Sequence, residues 1–373
     1  MQFRGINFVK RNLVAVLLTT IAGFFIYVQA QAPDGRPVEN LALPQFQKTN
    51  AEILGQNFVV CIPEDVLRQD TVDFLTSIRP GGIVLYARNY SSSEQLKHLI
   101  INLQNLAVKT TGYPYFIMID EEPGGATRLN LFQNVFATGV PDWQQIASDV
   151  GILKDVGVNV DLAPVADFPF NKDSFVTMRM AANTPGALLG FDPQFIGVLH
   201  GAGLASAIKH FPGMGIFKTD PHQKLPQGTV DAETLDTSLA IFQNGIDSGV
   251  DFVMTAHAVY QNIDPHHPAT LSSKIIQDIL RNKLHFQGLV ITDDLSDMPF
   301  ILDKNMDITQ ASIFAIEAGQ NLLIFSHKNE NTREIFNAMA TAMNSDRELR
   351  EFVEGNYRKI ISFKQSHDLS VVR

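Results

Sequence analysis

The chain has 373 residues, 45% of them apolar and 18% charged, which gives ample material for a large core and excludes a disordered tail. Its 29 Lys and Arg stand against 39 Asp and Glu, a net charge of −10 with no basic cluster, which excludes nucleic acid as a partner. The single cysteine, Cys61 in an apolar run, excludes an internal disulfide and a multi-cysteine zinc site and reads as a small buried hydrophobe.

Residues 1–30 open with three basic residues (Arg4, Lys10, Arg11) and no acid, continue with the 16-residue apolar stretch Leu13 to Val28, and end at Ala30-Gln31-Ala32. That is the composition of a secretory signal, with an uncleaved membrane anchor as the alternative. Either way the remainder is expected outside the cytoplasm, either periplasmic or secreted. Without those three charges the chain carries 26 basic against 39 acidic residues, a net −13. Residues 31–56, rich in Pro, Asp and Gly over 33–45, read as a linker or arm.

Short apolar runs then alternate with longer helical patterns. The expected strands are Phe58–Ile62, Gly82–Tyr86, Phe116–Ile119, Val158–Leu162, Leu204–Ile208, Phe252–Thr255, Leu289–Thr292 and Asn321–Phe325. Most lack the polar alternation of a half-exposed strand, as expected for strands buried on both faces. Helical spacing lies between them, over Ser93–Thr110, Trp143–Val156, Ala232–Ser248, Lys274–Asn282, Ile308–Gly319 and Thr332–Met343. By length alone two domains or one α/β barrel would serve. Eight strand-then-helix repeats with no composition break favour one (β/α)₈ TIM-type barrel over residues 57–365, with 366–373 a tail.

Polar residues sit where these strands end: Asp120, Lys209-His210, His257 and Asp293-Asp294. Any one alone reads as a helix cap or a satisfied loop group, but in a barrel all would converge on one cleft at the C-terminal face. The stretch Lys209-His-Phe-Pro-Gly-Met-Gly215 is followed, after four residues, by Asp220-Pro221-His222. Asp-x-His can place a carboxylate on one ring nitrogen, which fixes the tautomer and makes the other nitrogen a general acid/base. Of the adjacent acids Asp293 and Asp294, one is expected to face the cleft while the other caps the following segment. His266-His267, flanked by prolines, reads as a surface turn rather than a metal site.

These stretches, together with Asp120-Glu-Glu-Pro-Gly-Gly125, Met254-Thr-Ala-His257, Pro268-Ala-Thr-Leu-Ser272 and Ile291-Thr-Asp-Asp-Leu295, resemble the β-N-acetylhexosaminidases of glycoside hydrolase family 3, the NagZ type, in order from about residue 57 to 325. The resemblance implies a single-domain barrel and retaining hydrolysis of terminal β-linked N-acetylglucosamine from peptidoglycan fragments or chitin oligosaccharides, with no metal or organic cofactor. Carried over by motif, it implies Asp293 as nucleophile, His222 as acid/base with Asp220 as its partner, and sugar contacts from Asp120, Arg128, Arg179, Lys209 and His210. Three positions depart from the common pattern: Met214 where His is frequent, Pro221 between Asp220 and His222, and Glu121-Glu122-Pro123-Gly124-Gly125, which lacks the usual arginine after Gly124. The competing readings are a β-glucosidase or β-xylosidase of the same family, whose members lack the Asp-x-His loop, and a catalytically weak barrel that only binds glycans. An unrelated barrel isomerase or aldolase would want a Schiff-base lysine or a phosphate-binding glycine loop, and neither is suitably placed.

Overall fold

A computed structural model describes residues 48–137, 139–179, 181, 184–296, 306–326, 329–367 and 369. Eight strands close a parallel barrel: β1 Phe58–Val60, β2 Gly82–Leu85, β3 Phe116–Ile119, β4 Val160–Asp161, β5 Ala205–Phe211, β6 Phe252–Thr255, β7 Leu289–Asp294 and β8 Leu322–Phe325. Neighbours in sequence are neighbours in the sheet, and β8 closes onto β1 with Leu323 opposite Phe58. This is the TIM-type barrel expected from the repeat.

Alternate strand residues explain the missing polar alternation, because both faces are buried. Val59, Val84, Phe116, Met118, Val160, Ala207, Phe252 and Ile291 fill the barrel interior, while Phe58, Ile83, Ile117 and Leu323 pack outward with the helices. The helices follow in turn: α1 Asn50–Gly55, α2 Gln69–Ile78, α3 Ser93–Thr111, α4 Trp143–Val156, α5 Pro185–Gly201, α6 Ala232–Asp247, a π-helix over Lys274–Lys283, then α7 Ile308–Ala318, α8 Asn329–Ala342 and α9 Arg347–Ser366. Ser92, Asp142, Thr184, Asp231, Asp307 and Asp346 accept from backbone N–H groups of the first turns, and Gly112, Gly157 and Gly319 end α3, α4 and α7 in the left-handed conformation.

Four helices escaped the sequence reading. In α5 the apolar residues run almost all round and are interrupted by Gly186, Gly190, Pro193 and Gly197, so no amphipathic stripe marks it. α9 is long and strongly charged, and it buries only a narrow stripe of Leu349, Val353, Ile360 and Ile361. α2 and the short α1 are the other two, and α1 lies inside the stretch assigned to the arm. It packs against α8 and α9, so the folded body begins before residue 57. The expected signal or anchor segment lies outside the described residues; among those described, no helix is long and apolar enough to cross a membrane.

The N-terminal end of the barrel is sealed by α9. Phe363 sits edge-on to Phe116 and tilted against Phe252, and the Lys364 ammonium lies over Phe116 while donating to Gln56 and the Gly81 carbonyl. His367 stacks on Phe363, its Nε2 is 3.3 Å from Asp251, and Leu369 is buried. Asp251 also accepts from the Ser206 N–H and pairs with Nε2 of His200, at the end of α5, at 2.8 Å. That hydrogen bond, helped by the carboxylate charge and opposed by partial burial, raises the His200 pKa. A raised folded-state value contributes stability that is complete below the unfolded value of about 6.5 and is lost as the pH rises through the folded value. Wild type is therefore expected to lose more melting temperature than His200→Gln between pH 6 and pH 8.5; equal losses would show that the pair contributes nothing.

Candidate active site

The C-terminal ends of the strands surround a cavity of about 310 Å³ lined by Tyr86, Asp120, Arg128, Phe175, Arg179, Lys209, His210, Asp220, His222, Met254, Asp293 and Asp294. Every residue singled out from the sequence for catalysis or sugar contact is on that wall. A larger cavity, about 640 Å³ around Phe136, Trp143 and Phe191, is lined by no titratable side chain among the described residues.

The two adjacent acids divide as the strand geometry requires. Asp294 turns inward and accepts from the N–H and hydroxyl of both Ser296 and Ser326; burial pushes its carboxyl up to about 6 against those donors. Asp293, 21% exposed, faces the cavity; its Oδ1 accepts from the Asp294 N–H at 2.8 Å and its Oδ2 lies 3.6 Å from His210 Nε2. Burial alone would raise its pKa, but the imidazoles of His210 and His257, the Asp294 N–H and the Lys209 ammonium outweigh it and hold the group below the usual carboxylate range. Asp293 is thus an anion with one oxygen free toward the cavity.

Opposite in character is the loop after β5. His222, 48% exposed, brings Nδ1 to 2.7 Å from Asp220 Oδ1, which also accepts from the His222 backbone N–H. Because both bonds of this dyad come from His222, the N–H that Pro221 lacks is not missed. Gly215 positions the loop, since a Cβ there would lie 1.6 Å from the Phe168 carbonyl oxygen. Met214 is fully buried and contributes its backbone N–H to Asp167, so its side chain makes no demand on the cavity.

On the β3 side a buried charge network holds the remaining groups. Lys209 Nζ is 2.7 Å from both Asp120 Oδ1 and Glu122 Oε1, Arg128 reaches Asp120 Oδ2 at 3.0 Å, and Arg179 binds Glu122 through two N–H groups. Burial would raise the pKa values of Asp120 and Glu122; the cations overcome it and hold both groups low. Here Gly125 replaces the arginine of the common pattern. A Cβ at 125 would lie 2.1 Å from Glu122 Oε2, the oxygen that accepts from Arg179 and the Ala126 N–H, so the glycine leaves room for that carboxylate. Removing one member of a buried ion network leaves uncompensated charge and typically costs about 3–5 kcal/mol. Glu122→Ala is expected to lose stability on that scale in urea unfolding, and a change below about 1 kcal/mol would contradict the network's role.

Sequence reasoning did not select Asp167, Glu122 and Tyr86. Asp167 lies six residues past the end of β4, whereas Asp120 directly follows β3, so no strand-end signal marked it. Tyr86 ends the β2 run and lies under the guanidinium groups of Arg88 and Arg128. His257, noted at its strand end, is buried against Thr270 and the Asp294 carbonyl; burial lowers its pKa to about 4, so it is neutral near pH 7.

An eight-stranded barrel whose C-terminal mouth holds a free carboxylate, an exposed aspartate–histidine pair and a fringe of fixed cations and acids is the framework of a barrel hydrolase for polar substrates. Residues 43–363 match the model of the glycosyl hydrolase family 3 N-terminal domain. The chain belongs to glycosyl hydrolase family 3 and is a glycoside hydrolase. It is 31% identical over 278 residues to a β-hexosaminidase of Nitrosomonas eutropha, covering 69% of this chain and 77% of that protein, and 29% identical over 280 residues to one of Idiomarina loihiensis. Among solved structures, a family 3 β-N-acetylglucosaminidase of Paenibacillus superposes with a TM-score of 0.78 at 28% identity, covering 87% of this chain and 64% of that one. A β-N-acetylhexosaminidase of Beutenbergia cavernae gives 0.76 at 25% identity, covering 85% and 99%.

Proposed function

We propose that the protein is an exo-acting, retaining β-N-acetylglucosaminidase that removes terminal β-linked N-acetylglucosamine from peptidoglycan fragments or chitin oligosaccharides. The observation that carries this reading is the Asp220–His222 dyad opening onto the same cavity as the ionised Asp293. Retention requires a nucleophile on one side of the sugar and an acid/base on the other. Asp293 attacks the anomeric carbon as the glycosidic C–O bond breaks, and the imidazolium of His222 gives its Nε2 proton to the leaving oxygen. The neutral imidazole, still donating Nδ1–H to Asp220, then takes a proton from the water that releases the sugar from Asp293. Asp120, Lys209, His210, Arg128 and Arg179 are the candidate sugar contacts, with Lys209 and Arg128 pre-paired to Asp120 so that little rearrangement is needed on binding.

Rates on an aryl β-N-acetylglucosaminide and an aryl β-glucoside test the reading. Strong preference for the former is expected; preference for the glucoside would transfer the protein to the β-glucosidase alternative. The charge and apolar pattern of residues 1–30 supports action outside the cytoplasm, which sequencing the N-terminus of the mature protein from its host would check.

A further inference from the structure

Asp167 is fully buried in the segment after β4, which is pinned to β5 by the Ala166 N–H donating to the Lys209 carbonyl. Its Oδ2 lies 2.6 Å from His210 Nδ1 and accepts from the His210 backbone N–H at 3.2 Å, while Oδ1 accepts from the Met214 N–H at 2.7 Å. A carboxylate only accepts, so His210 Nδ1 carries the proton. The other ring nitrogen faces a second acceptor, Asp293 Oδ2, at 3.6 Å. An imidazole whose two nitrogens both face carboxylates is best satisfied as the cation.

We propose that Asp167 is a positioning residue: it orients His210 and favours its charged form, so that the imidazolium balances the nucleophile Asp293 in the resting enzyme. The inference rests on the reading of Asp293 as nucleophile. Its role differs from that of Asp220, whose histidine lies in the loop after β5 and handles the leaving group. The other charged or titratable groups around the couple are Lys209 and Asp293 on β5 and β7, His257 after β6, and, acting on Asp167 from behind, Asp192 of α5 and Tyr260. Asp192 is buried with neither oxygen hydrogen-bonded, and burial, with the Asp167 charge beside it, raises its pKa well above normal, which favours its uncharged form.

Asp167→Asn keeps the shape and leaves one carbonyl oxygen for donors that now share two. It is expected to lower kcat/KM by about 10–100-fold, the scale on which partners of a functional imidazole act. The basic limb of its pH profile should move to lower pH, since the His210 ring gives up its proton earlier and Asp293 is then left unbalanced. A loss of activity with the basic limb unmoved would reduce Asp167 to a structural role and overturn the proposal. In protein labelled with ¹⁵N-histidine, the His210 ring should titrate at lower pH in Asp167→Asn than in wild type, and an unchanged midpoint would overturn it. This second measurement needs no activity, so an inactive wild type would refute the glycosidase reading and leave the couple still testable. Should Asp167→Asn not fold, His210→Gln retains Asp167 and removes the cation at every pH; its acid limb should move to higher pH because Asp293 then lacks that charge, and an unmoved limb would overturn the proposal.

Discussion

Replacing Asp293 by asparagine is expected to lower kcat on aryl β-N-acetylglucosaminides on the order of 10⁴-fold or more, with a melting temperature close to that of wild type. The size follows from the absence of a substitute carboxylate among the described residues. Of the other cavity acids, Asp294 is held by Ser296 and Ser326, Asp120 by Lys209 and Arg128, and Asp220 by His222. None can move to the anomeric carbon without abandoning a charged or buried partner. Chemical rescue sharpens the test. In Asp293→Ala, azide can occupy the vacated space and attack directly, and a single displacement yields the α-glycosyl azide with restored turnover. Release of aryl alcohol at the wild-type rate by Asp293→Asn, or rescue giving only the β-azide, would remove Asp293 from the role of nucleophile.

The second large effect is expected from His222→Ala, and its signature is selectivity among leaving groups. General acid catalysis contributes about 10²–10⁴-fold when the departing oxygen is basic, as in a sugar or alkyl glycoside, and little when it is an activated aryl oxide. Cleavage of a chitin oligosaccharide should therefore fall by that factor, while formation of the glycosyl-enzyme from a dinitrophenyl glycoside should stay within about tenfold of wild type. A uniform loss across leaving groups would mean that His222 merely shapes the cavity. Asp220→Asn should show the same pattern more weakly, because the asparagine carbonyl can still orient Nδ1–H but cannot stabilise the imidazolium.

The barrel was legible because its strands are buried on both faces, and each therefore reads as an unbroken apolar run such as Phe116–Ile119 or Phe252–Thr255. Helical spacing placed α3, α4, α6 and α7 within one residue at either end. α5, which carries no clean amphipathic stripe, and α9, whose apolar stripe is narrow in a strongly charged helix, were not legible, since their burial is decided by neighbours distant in sequence. In the site, the residues at strand ends and in the Asp220-Pro-His222 loop could be picked out by chemistry and spacing. Which of Asp293 and Asp294 faces the cavity could be framed from strand alternation but depends on Ser326, at the end of β8 and 32 residues away.

What the sequence determined by itself was local: the alternation of strand and helix, the residue types at strand ends, and an aspartate two residues from a histidine. Tertiary structure decided the pairings that give those groups their charge states. Glu122 meets Arg179 across 57 residues and Lys209 meets Asp120 across 89. Barrel closure brings such partners together in a region of low effective dielectric, where an opposite charge at 3 Å outweighs the burial that would otherwise neutralise each acid. No local pattern encodes such a meeting, so chemistry could be named from the sequence while the ionisation that makes it work came from the fold.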